Sequence, residues 1–395
     1  MTNHRLPTER AHGLQIAKMS EAFTELGVDV TVIHPRRRQA DPKLRGQTVF
    51  DYYGLMESFA IKTLPYLDVY PLQKRLPRSV FTLLHTAVDI AWSAYAATLA
   101  RRLKADLYLS REVLTAWWLT RLGLPVVFDA HRVPKGAQRL LLRQIAKYKG
   151  LVHVTTTTSW VRDRLITMGF DNNLVSVLPS AMDPTQFLRT PTKEICRDQL
   201  SLPADRPIVG YIGRFQALRL DKGIPTLIKA VAQIKAEGKL TPLLLCVGGP
   251  MDAVPSYIKL AQQEGLAAND FLFFDKVPNT EVPRWLKSCD VLTIPWGWSD
   301  FSAHETSPIK LFEYMAAGVP IVASDLPSLR EILCHEHNAI LVPPNDSAKL
   351  AVGIDRVLTD RFLSLHISSH SHSDVTSYTW HNRAASILAV SNRLL

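Results

Sequence analysis

The sequence contains few cysteines, and no two of them have metal-binding or redox spacing. Cys196, Cys246, Cys289 and Cys334 lie far apart, and no C-x-x-C occurs in the 395 residues. A disulfide framework needs several cysteines, and a zinc knuckle needs closely spaced pairs. The spacing therefore excludes both classes and favours a protein of a reducing cytosol.

A long hydrophobic run without charge is also missing. The N-terminus, MTNHRLPTERAHG, is polar and lacks the apolar core of a secretory signal. The most apolar stretch, residues 80–100, carries His85 and Asp89, and one charge at a bilayer centre costs about 2.5–3.5 kcal/mol on insertion scales. We therefore expect a buried or interfacial helix there. Residues 66–78 mix aromatic, leucine and basic side chains, which suits a loop at a membrane surface or an ordinary solvated loop.

Three motifs that commonly hold nucleotides are absent. Neither a G-x-G-x-x-G turn nor a Walker sequence occurs, and the nearest glycine pair, Gly248-Gly249, lacks the required spacing. No Asp-x-Asp triplet occurs either, although it is the usual device that holds a metal ion against the diphosphate of a sugar nucleotide. A nucleotide diphosphate bound by this chain would need cationic side chains and helix N-termini instead.

The charge is present but unevenly distributed. The chain has 47% hydrophobic and 21% charged residues, which is typical of a globular protein and excludes disorder. Residues 1–185 hold 25 Lys and Arg against 15 Asp and Glu, whereas residues 186–395 hold 21 of each. The whole net charge of +10 therefore belongs to the N-terminal half. It indicates an anionic partner such as nucleic acid, a membrane surface or a phosphorylated ligand.

Apolar runs alternate with helical patterns along the chain. Five runs precede a polar, proline-bearing stretch at residues 190–206, and six follow it. They are residues 28–33, 106–109, 126–129, 152–155 and 175–178, and then 208–212, 243–247, 271–274, 291–294, 321–323 and 339–342. This alternation predicts an α/β protein with doubly wound parallel sheets. Two such series predict two Rossmann-like domains, at residues 1–187 and 188–378, facing each other across a ligand crevice.

The first helix, at about residues 13–26, has no strand before it. A doubly wound domain normally begins with a strand that lies centrally in its sheet, but here only Met1 and Thr2 are left of it. We therefore expect that the first strand is missing and that about five to ten residues precede the present start, one strand's length with its turn.

The segment FSAHETSPIKLFEYMAAGVP, residues 301–320, suits an anion. Ser307 is predicted to cap a helix at about residues 309–317, with Pro308 in its first turn. The free N–H groups of this first turn would point at an anion. They belong to Ile309, Lys310 and Leu311. Glu305 precedes the helix and Glu313 lies within it, but the spacing E-x7-E alone is more typical of a capped helix with a solvated glutamate.

Two further clusters follow predicted strands. Gly213 and Arg214 come directly after the run 208–212, and Lys222 opens the next helix. Cations at the carboxyl end of a strand suit a diphosphate, although this pair alone is equally compatible with an ordinary surface. His131 follows the run 126–129. A lone histidine is more often structural, and its expected position facing the crevice only narrows the difference between a structural and a functional role.

The order of these motifs resembles that of the family 4 glycosyltransferases of GT-B fold. The resemblance runs nearly end to end, from RLPTERAHGLQIAKMSEAF through VFDAHR, VSVLPSAMDPTQF, VGYIGRF…DKG and LLLCVGGP. It continues through FLFFDKVPNTEVPRWLKSCDVLTIP to HETSPIKLFEYMAAGVPIVASDLPSLREIL, NAILVPPND and YTWHNRA. No single piece is decisive, whereas their order and spacing together identify the family.

The resemblance implies roles for matching residues. Arg214 and Lys222 correspond to the pair that neutralises the donor diphosphate as it leaves. Glu313 corresponds to the glutamate that binds the ribose hydroxyls, and Glu305 to the one that contacts the transferred sugar. His131 corresponds to the histidine beside the donor sugar and diphosphate.

The resemblance also assigns segments. The backbone at Val277 and Pro278 corresponds to the loop that holds the nucleobase, and Gly13 to the loop that covers the phosphates. Residues 379–395 correspond to a C-terminal helix that crosses back to the N-terminal domain. The chain departs from the family at residues 177–183, where VLPSAMD replaces the usual V-L-P-N-G-V-D, and at WGWSDFSAH, residues 296–304, whose tryptophans either stack on a sugar or only pack.

The implied activity is a retaining, metal-independent transfer of a sugar from a nucleotide-diphosphate donor, a UDP- or GDP-sugar, without a cofactor. The charge of the N-terminal half suits a glycan or polyprenyl-linked acceptor at an anionic membrane surface. We therefore expect a cytoplasmic protein, peripheral on the inner face of the membrane, in cell-surface polysaccharide synthesis. No nucleic-acid-binding motif occurs. The alternatives are another GT-B enzyme, such as a nucleotide-sugar epimerase or a phosphorylase, and a catalytically silent nucleotide-sugar-binding or scaffold protein.

Overall fold

The computed structural model describes residues 1–39, 41–217, 220–238 and 240–392. The strands are β1 (Thr31–Pro35), β2 (Ala60–Leu64), β3 (Tyr108–Ser110), β4 (Val126–Ala130), β5 (Leu151–Thr156), β6 (Val175–Val177), β7 (Ile208–Ile212), β8 (Gln216–Ala217), β9 (Leu220–Asp221), β10 (Leu243–Val247), β11 (Phe271–Phe274), β12 (Val291–Ile294), β13 (Ile321–Ser324) and β14 (Ile340–Val342).

The α-helices follow the same chain order. They are α1 (Ala11–Glu25), α2 (Val49–Tyr53), α3 (Arg78–Leu103), α4 (Val113–Arg121), α5 (Gln138–Ile145), α6 (Ser159–Thr167), α7 (Thr185–Leu188), α8 (Lys193–Gln199), α9 (Ile224–Ala236), α10 (Val254–Gln263), α11 (Val282–Lys287), α12 (Ile309–Ala316), α13 (Pro327–Arg330), α14 (Ser347–Thr359), α15 (Arg361–Asp374) and α16 (Trp380–Asn392).

The chain divides into two compact α/β units. The first unit comprises Met1–Pro179 and Trp380–Leu395, and the second comprises Ser180–Thr379. All strand pairs of the larger sheets are parallel, which confirms the predicted α/β class. The boundary follows Pro179, eight residues before the predicted boundary after residue 187, and α16 belongs to the first unit.

The second unit contains a six-stranded sheet in the order β11-β10-β7-β12-β13-β14. Counted within this unit, the order is 3-2-1-4-5-6, the doubly wound arrangement of dinucleotide-binding folds. Its central strands are buried on both faces, with one apolar core on each side of the sheet. The near-continuous apolar runs at β7 and β10 are typical of parallel strands covered by helices, which is why the sequence predicted them within their observed bounds.

The first unit contains a parallel pair, β1-β2, and a four-stranded parallel sheet in the order β3-β4-β5-β6. The first two residues lie between them. The amide of Thr2 donates to the carbonyl of Ile33 at 3.0 Å, and the amino group of Met1 donates to the carbonyl of Leu109 at 2.6 Å. This two-residue segment lies at the position that the sequence pattern assigns to a first, central strand.

Strand β2 is absent from the sequence-based prediction. Its residues read AIKTL, and all but the last are partly or fully exposed, so no continuous apolar run marks it. It pairs in register with β1 and has no second strand neighbour within the described residues. An edge strand of this kind needs only one buried face, and a short polar pattern does not reveal it.

Helix α3 confirms that residues 80–100 are helical. Asp89 near its middle is buried, and its carboxylate accepts hydrogen bonds from Arg37 at 2.8 Å and from the Tyr66 hydroxyl at 2.9 Å. The charge that argued against a membrane span is thus an internal ion pair. Among the described helices, α3 included, none combines the length and the apolar character that crossing a bilayer requires.

Candidate functional site

The carboxyl ends of β7 and β12 mark the point where the strand order of the second unit reverses. Ligands of doubly wound sheets bind at such a switch point. Gly213 directly follows β7 with a φ of +142°, and a Cβ there would collide with the ammonium group of Lys310. A glycine is therefore required for the Lys310 side chain to cross the end of β7.

Lys222 is held beside this point by a tight turn. Asp221 accepts hydrogen bonds from the amides of Gly223 and Ile224, at 2.7 and 2.9 Å, which caps α9. Gly223 has a φ of +85°, and any Cβ there would overlap the carbonyl oxygen of Pro295, which follows β12. The turn therefore fixes Lys222 against the end of β12.

Lys222 and Lys310 share one aromatic ring. Their Nζ atoms lie 4.1 and 5.8 Å from the ring centroid of Trp296, and Lys310 also donates to the Tyr211 hydroxyl at 2.8 Å. Burial lowers the pKa of Lys222 to about 8. Burial, with repulsion from Lys222, lowers the pKa of Lys310 to about 7. Within the described residues, neither lysine forms an ion pair, so the two together favour an anion.

The two predicted glutamates occupy different elements. Glu305 ends a π-helical turn at Phe301–Glu305 and is half-buried. Glu313 lies one turn into α12, on the same helix as Lys310. Burial raises the pKa of Glu313 to about 7, although the charge of Lys310 opposes the shift. Near neutral pH, both the ionised and the protonated form of Glu313 are therefore populated, and the protonated form can donate a hydrogen bond.

The predicted cap of α12 is wrong. The N-cap residue is Pro308, which has no capping side chain. The hydroxyl of Ser307 instead accepts from the amide of Ser180 at 2.9 Å, while the Ser180 hydroxyl donates to the carbonyl of Ser307 at 2.6 Å. Ser180 stands where the family usually has asparagine, so the departure at residues 177–183 is accommodated by this pair of serines.

The prediction that three backbone amides are free at the start of α12 is wrong for one of them. The amide of Leu311 donates to the carbonyl of Pro308 at 3.0 Å. The amides of Ile309 and Lys310 have no acceptor among the described residues. Two N–H groups, not three, are therefore available to an anion.

Arg214, Val277 and Pro278 lie at the same edge of the sheet. Arg214 is exposed, and its carbonyl accepts from the Tyr211 hydroxyl at 2.8 Å. Val277 packs against the core of the second unit, and Pro278 is exposed after β11, two strands away from β7. Lys222 and Lys310 lie around one indole ring at the start of α12, whereas the side chain of Arg214 is exposed.

His131 belongs to a cluster in the first unit, at the end of β4. Its Nε2 lies 2.8 Å from a carboxylate oxygen of Asp129. The other oxygen of Asp129 accepts from Thr155 and from Arg383 of α16, each at 2.7 Å. Burial opposes ionisation of Asp129, but the charge of Arg383 and the hydrogen bond with His131 outweigh it and hold the pKa of that carboxyl well below its usual range.

His131 is neutral at physiological pH. Burial, reinforced by the charge of Arg111, lowers its pKa to about 4, although Asp129 opposes the shift. Because Asp129 is ionised, Nε2 must carry the imidazole proton and donate to it. The remaining nitrogen, Nδ1, is thus an acceptor, suited to a hydroxyl group.

The prediction that Gly13 lies in a loop is wrong. Gly13 is the third residue of α1, because the helix begins at Ala11. A Cβ at this position would collide with the hydroxyl of Tyr53, which donates to the carbonyl of Thr8 at 2.7 Å. Packing alone therefore requires glycine here.

Sequence reasoning missed two residues and left a third undecided. Arg383 was placed in the last helix without a role, and Tyr211 lies inside β7 with no motif to mark it. Trp296 is buried and holds the two lysines, whereas Trp298 is 53% exposed. The position of Trp296 two residues after a predicted strand was the one available signal.

Comparison with known proteins places both halves of the chain in glycosyltransferase families. The family described as Glycosyl transferases group 1 matches residues 192–372, and Glycosyltransferase Family 4 matches residues 13–186. A 2-deoxystreptamine glucosyltransferase of Streptomyces kanamyceticus is 26% identical over 367 residues, with 88% of this chain and 89% of that protein covered. A D-inositol 3-phosphate glycosyltransferase of Stackebrandtia nassauensis is 26% identical over 296 residues, with coverage of 69% and 64%.

A solved structure shares the fold across the whole chain. HepE of Anabaena, determined in complex with UDP, has a TM-score of 0.72 at 17% identity, with 100% of this chain and 98% of that chain covered. It was also determined in complex with UDP-glucose. The two family matches cover nearly the whole chain between them, and the chain belongs to the GT-B glycosyltransferases of family 4.

Proposed function

We propose that this glycosyltransferase takes its sugar from a nucleotide-diphosphate donor, of UDP or GDP type, and transfers it with retention and without a metal ion. The observation that carries the proposal is the pair of ammonium groups of Lys222 and Lys310 on one indole, at the switch point of the second unit. Lys222 is buried and Lys310 is half-buried, and neither forms an ion pair among the residues that the structure describes, so together they match the charge of a diphosphate. The UDP complexes of HepE, which shares the fold, support the same donor class.

The proposed transfer is a single displacement that needs no protein nucleophile. The acceptor hydroxyl oxygen bonds to the anomeric carbon on the face that the diphosphate leaves. The bond between that carbon and the diphosphate oxygen breaks, its electron pair stays on the diphosphate, and the acceptor proton passes to the departing phosphate oxygen. Lys222 and Arg214 would stabilise the negative charge that develops there, as a metal ion does in other enzymes.

A donor screen tests the proposal directly. The full chain is incubated with UDP-, GDP- and dTDP-sugars, and both thermal protection and slow donor hydrolysis are measured in the presence of EDTA. One class of donor should protect and be hydrolysed. Activity that stops in EDTA and resumes with Mg²⁺ or Mn²⁺ would contradict metal independence, and protection without turnover would favour a silent nucleotide-sugar-binding protein.

Two variants test the residue roles. Lys222→Ala and Glu305→Ala should each abolish transfer, since loss of one electrostatic contact at a transition state costs roughly 100- to 1000-fold in turnover. Lys229→Ala, an exposed lysine on α9, serves as the matched control. Melting curves establish that each variant is folded. Near-normal turnover in either test variant with the correct donor would remove that residue from the mechanism.

The acceptor is proposed to be an anionic glycan or polyprenyl-linked molecule that meets the first unit. A cavity of about 450 Å³ in this unit is lined by Arg5, Arg36 and Arg37, together with His34 and Thr48. These side chains suit a phosphorylated acceptor. The similar protein from Stackebrandtia nassauensis is named for a phosphorylated acceptor, which supports the same class.

We further propose that the first unit binds the inner face of the cytoplasmic membrane for cell-surface polysaccharide synthesis. Apolar side chains are exposed on and before α3, among them Leu67 at 68% and Leu83 at 74%. Lys74, Arg75 and Arg78 lie between them in the sequence. Apolar and basic groups together favour an anionic lipid surface.

A further inference from the structure

Three histidines converge on the surface of the second unit, outside the switch point. His366 and His370 lie one turn apart on α15, and His337 lies in the segment between α13 and β14. One ring nitrogen from each residue can be chosen so that all three lie within 4.8 Å of one another. The ring centroid of His370 lies 4.2 Å from the ring centroid of His366 and 4.5 Å from that of His337.

A backbone hydrogen bond orients the ring of His370. Its Nδ1 lies 2.8 Å from the carbonyl oxygen of His366 on the previous turn. A carbonyl can only accept, so Nδ1 carries the proton and Nε2 keeps its lone pair. Histidines that bind metal ions are usually oriented in this way, by a carbonyl or carboxylate on the second nitrogen.

His337 lies beside α15 in a loop that Asn338 holds by hydrogen bonds. Asn338 beside it is buried, and its amide group donates to the carbonyl of Ile332 at 3.1 Å and to Asp374 at 2.8 Å. Its side-chain oxygen accepts from the amide of Cys334 at 2.8 Å. The same carboxylate oxygen of Asp374 lies 3.4 Å from Nε2 of His337. One carboxylate thus orients both the loop and its histidine.

We propose that His337, His366 and His370 bind one divalent transition-metal ion of the Zn²⁺ class, with Asp374 as the carboxylate that positions His337. Imidazole nitrogens bind such ions at about 2.0–2.1 Å, so a tetrahedral site places its nitrogens about 3.3 Å apart. The side chains of His366 and His370 are exposed or half-buried, and small rotations close the remaining distance. Water can occupy the fourth position.

The ion would link two segments that are otherwise joined through Asn338 and Asp374. It would tie the loop before β14 to α15, and so stabilise the second unit instead of taking part in sugar transfer. Because none of the three histidines belongs to the switch-point cluster, the proposal is independent of the donor proposal and is read out without an activity assay.

Metal content provides the test. The full chain is stripped with chelator, exposed to Zn²⁺ or Co²⁺, gel-filtered and analysed for bound metal, visible Co²⁺ absorption and melting temperature. The wild type should retain about one ion per chain, show the absorption of a tetrahedral cobalt site and melt at a higher temperature with the ion. Asp374→Ala should weaken binding by roughly 10- to 100-fold, as expected for a positioning residue.

Matched variants separate this site from casual surface binding. His366→Ala, His370→Ala and His337→Gln should each lose the bound ion and the shift in melting temperature while keeping the wild-type melting temperature in EDTA. His381→Ala removes a half-exposed histidine of the first unit and should bind as the wild type does. Equal retention in His366→Ala and the wild type, or no retention by the wild type, would overturn the proposal.

Discussion

Burial disfavours the charged forms of both Lys222 and Lys310 and lowers the pKa of each ammonium group. Both are desolvated, and each repels the other across the ring of Trp296. A diphosphate would relieve both costs, because it supplies the opposite charge in a site of low dielectric. The pKa of each lysine should therefore rise when the donor binds, and binding should be coupled to proton uptake.

This coupling predicts a pH dependence. Lys310, with a pKa of about 7, is cationic below that pH and neutral above it, and Glu313 becomes negative over the same range. Both changes weaken attraction for an anion, so the affinity for the nucleotide sugar identified in the screen should fall as the pH rises from about 6 to about 8. Calorimetric titration across this range measures it, and the diphosphate diester of the ligand does not itself titrate there.

Lys310→Met isolates the contribution of this lysine. The variant should bind roughly 10- to 100-fold more weakly than the wild type at the acidic end, where a charge-assisted hydrogen bond is lost. At the alkaline end the two proteins should differ much less. Lys229→Met, at an exposed position on α9, should follow the wild type throughout. A constant ratio between Lys310→Met and the wild type would mean that Lys310 does not titrate in this range.

At the scale of elements, the start of α9 is the most constrained point of the site. Gly223 combines a positive φ with contact to the carbonyl of Pro295, and Gly238 at the other end of the helix has a φ of +75° with open space around it. Gly238→Ala should cost about 1 kcal/mol through backbone conformation alone. Gly223→Ala should cost more in urea unfolding and also reduce donor binding, because the turn carries Lys222. Equal costs would show that the contact with Pro295 relaxes freely.

Helix α16 is attached to β4 by a buried ion pair. The side chains of Arg383 and Asp129 are each 5% exposed and 2.7 Å apart. Arg383→Ala should destabilise the first unit by about 3–5 kcal/mol, because it leaves a buried carboxylate without its partner. Arg330→Ala, which breaks an exposed pair with Asp325, should cost much less, because water already solvates and screens both charges.

The direction of the pKa shift of Asp129 determines how the stability contributed by this pair depends on pH. The folded-state pKa of Asp129 is depressed, so its stabilisation is present above its ordinary value of 3.8 and is lost as the pH falls through the folded value. Denaturant unfolding of the wild type and Arg383→Ala at several pH values should therefore converge in acid. A difference that is constant with pH would contradict the electrostatic origin.

At the scale of the whole molecule, the net charge of +10 resides in residues 1–185. If this half meets an anionic bilayer, each basic residue near the surface contributes about 1 kcal/mol of attraction. Binding to vesicles that contain phosphatidylglycerol should therefore weaken as salt increases, because salt screens this attraction. Leu83→Glu should weaken it further, whereas Leu188→Glu, at an 82% exposed leucine of the second unit, should not. Binding that is unchanged by salt would exclude the electrostatic contribution.

Local pattern was sufficient to predict most strands of the second unit. The runs at residues 208–212, 243–247, 271–274 and 291–294 match β7, β10, β11 and β12, because fully buried parallel strands read as unbroken apolar runs. Local pattern failed where a residue's partner is distant. The side chain of Ser307 could cap a helix, but its hydroxyl oxygen instead accepts a hydrogen bond from the backbone amide of Ser180, 127 residues away.

The sequence by itself determined the α/β class, the order of most elements and the basic first half, and it predicted cations near a diphosphate. These depend on composition and on periodicity, which report whether each face of a local segment is buried. Only the tertiary structure decided that Lys310 crosses Gly213, that Arg383 reaches Asp129 over 254 residues of chain, and that three histidines meet. Such contacts are set by strand order and helix packing, and the desolvation that shifts the pKa values exists only once distant segments have excluded water.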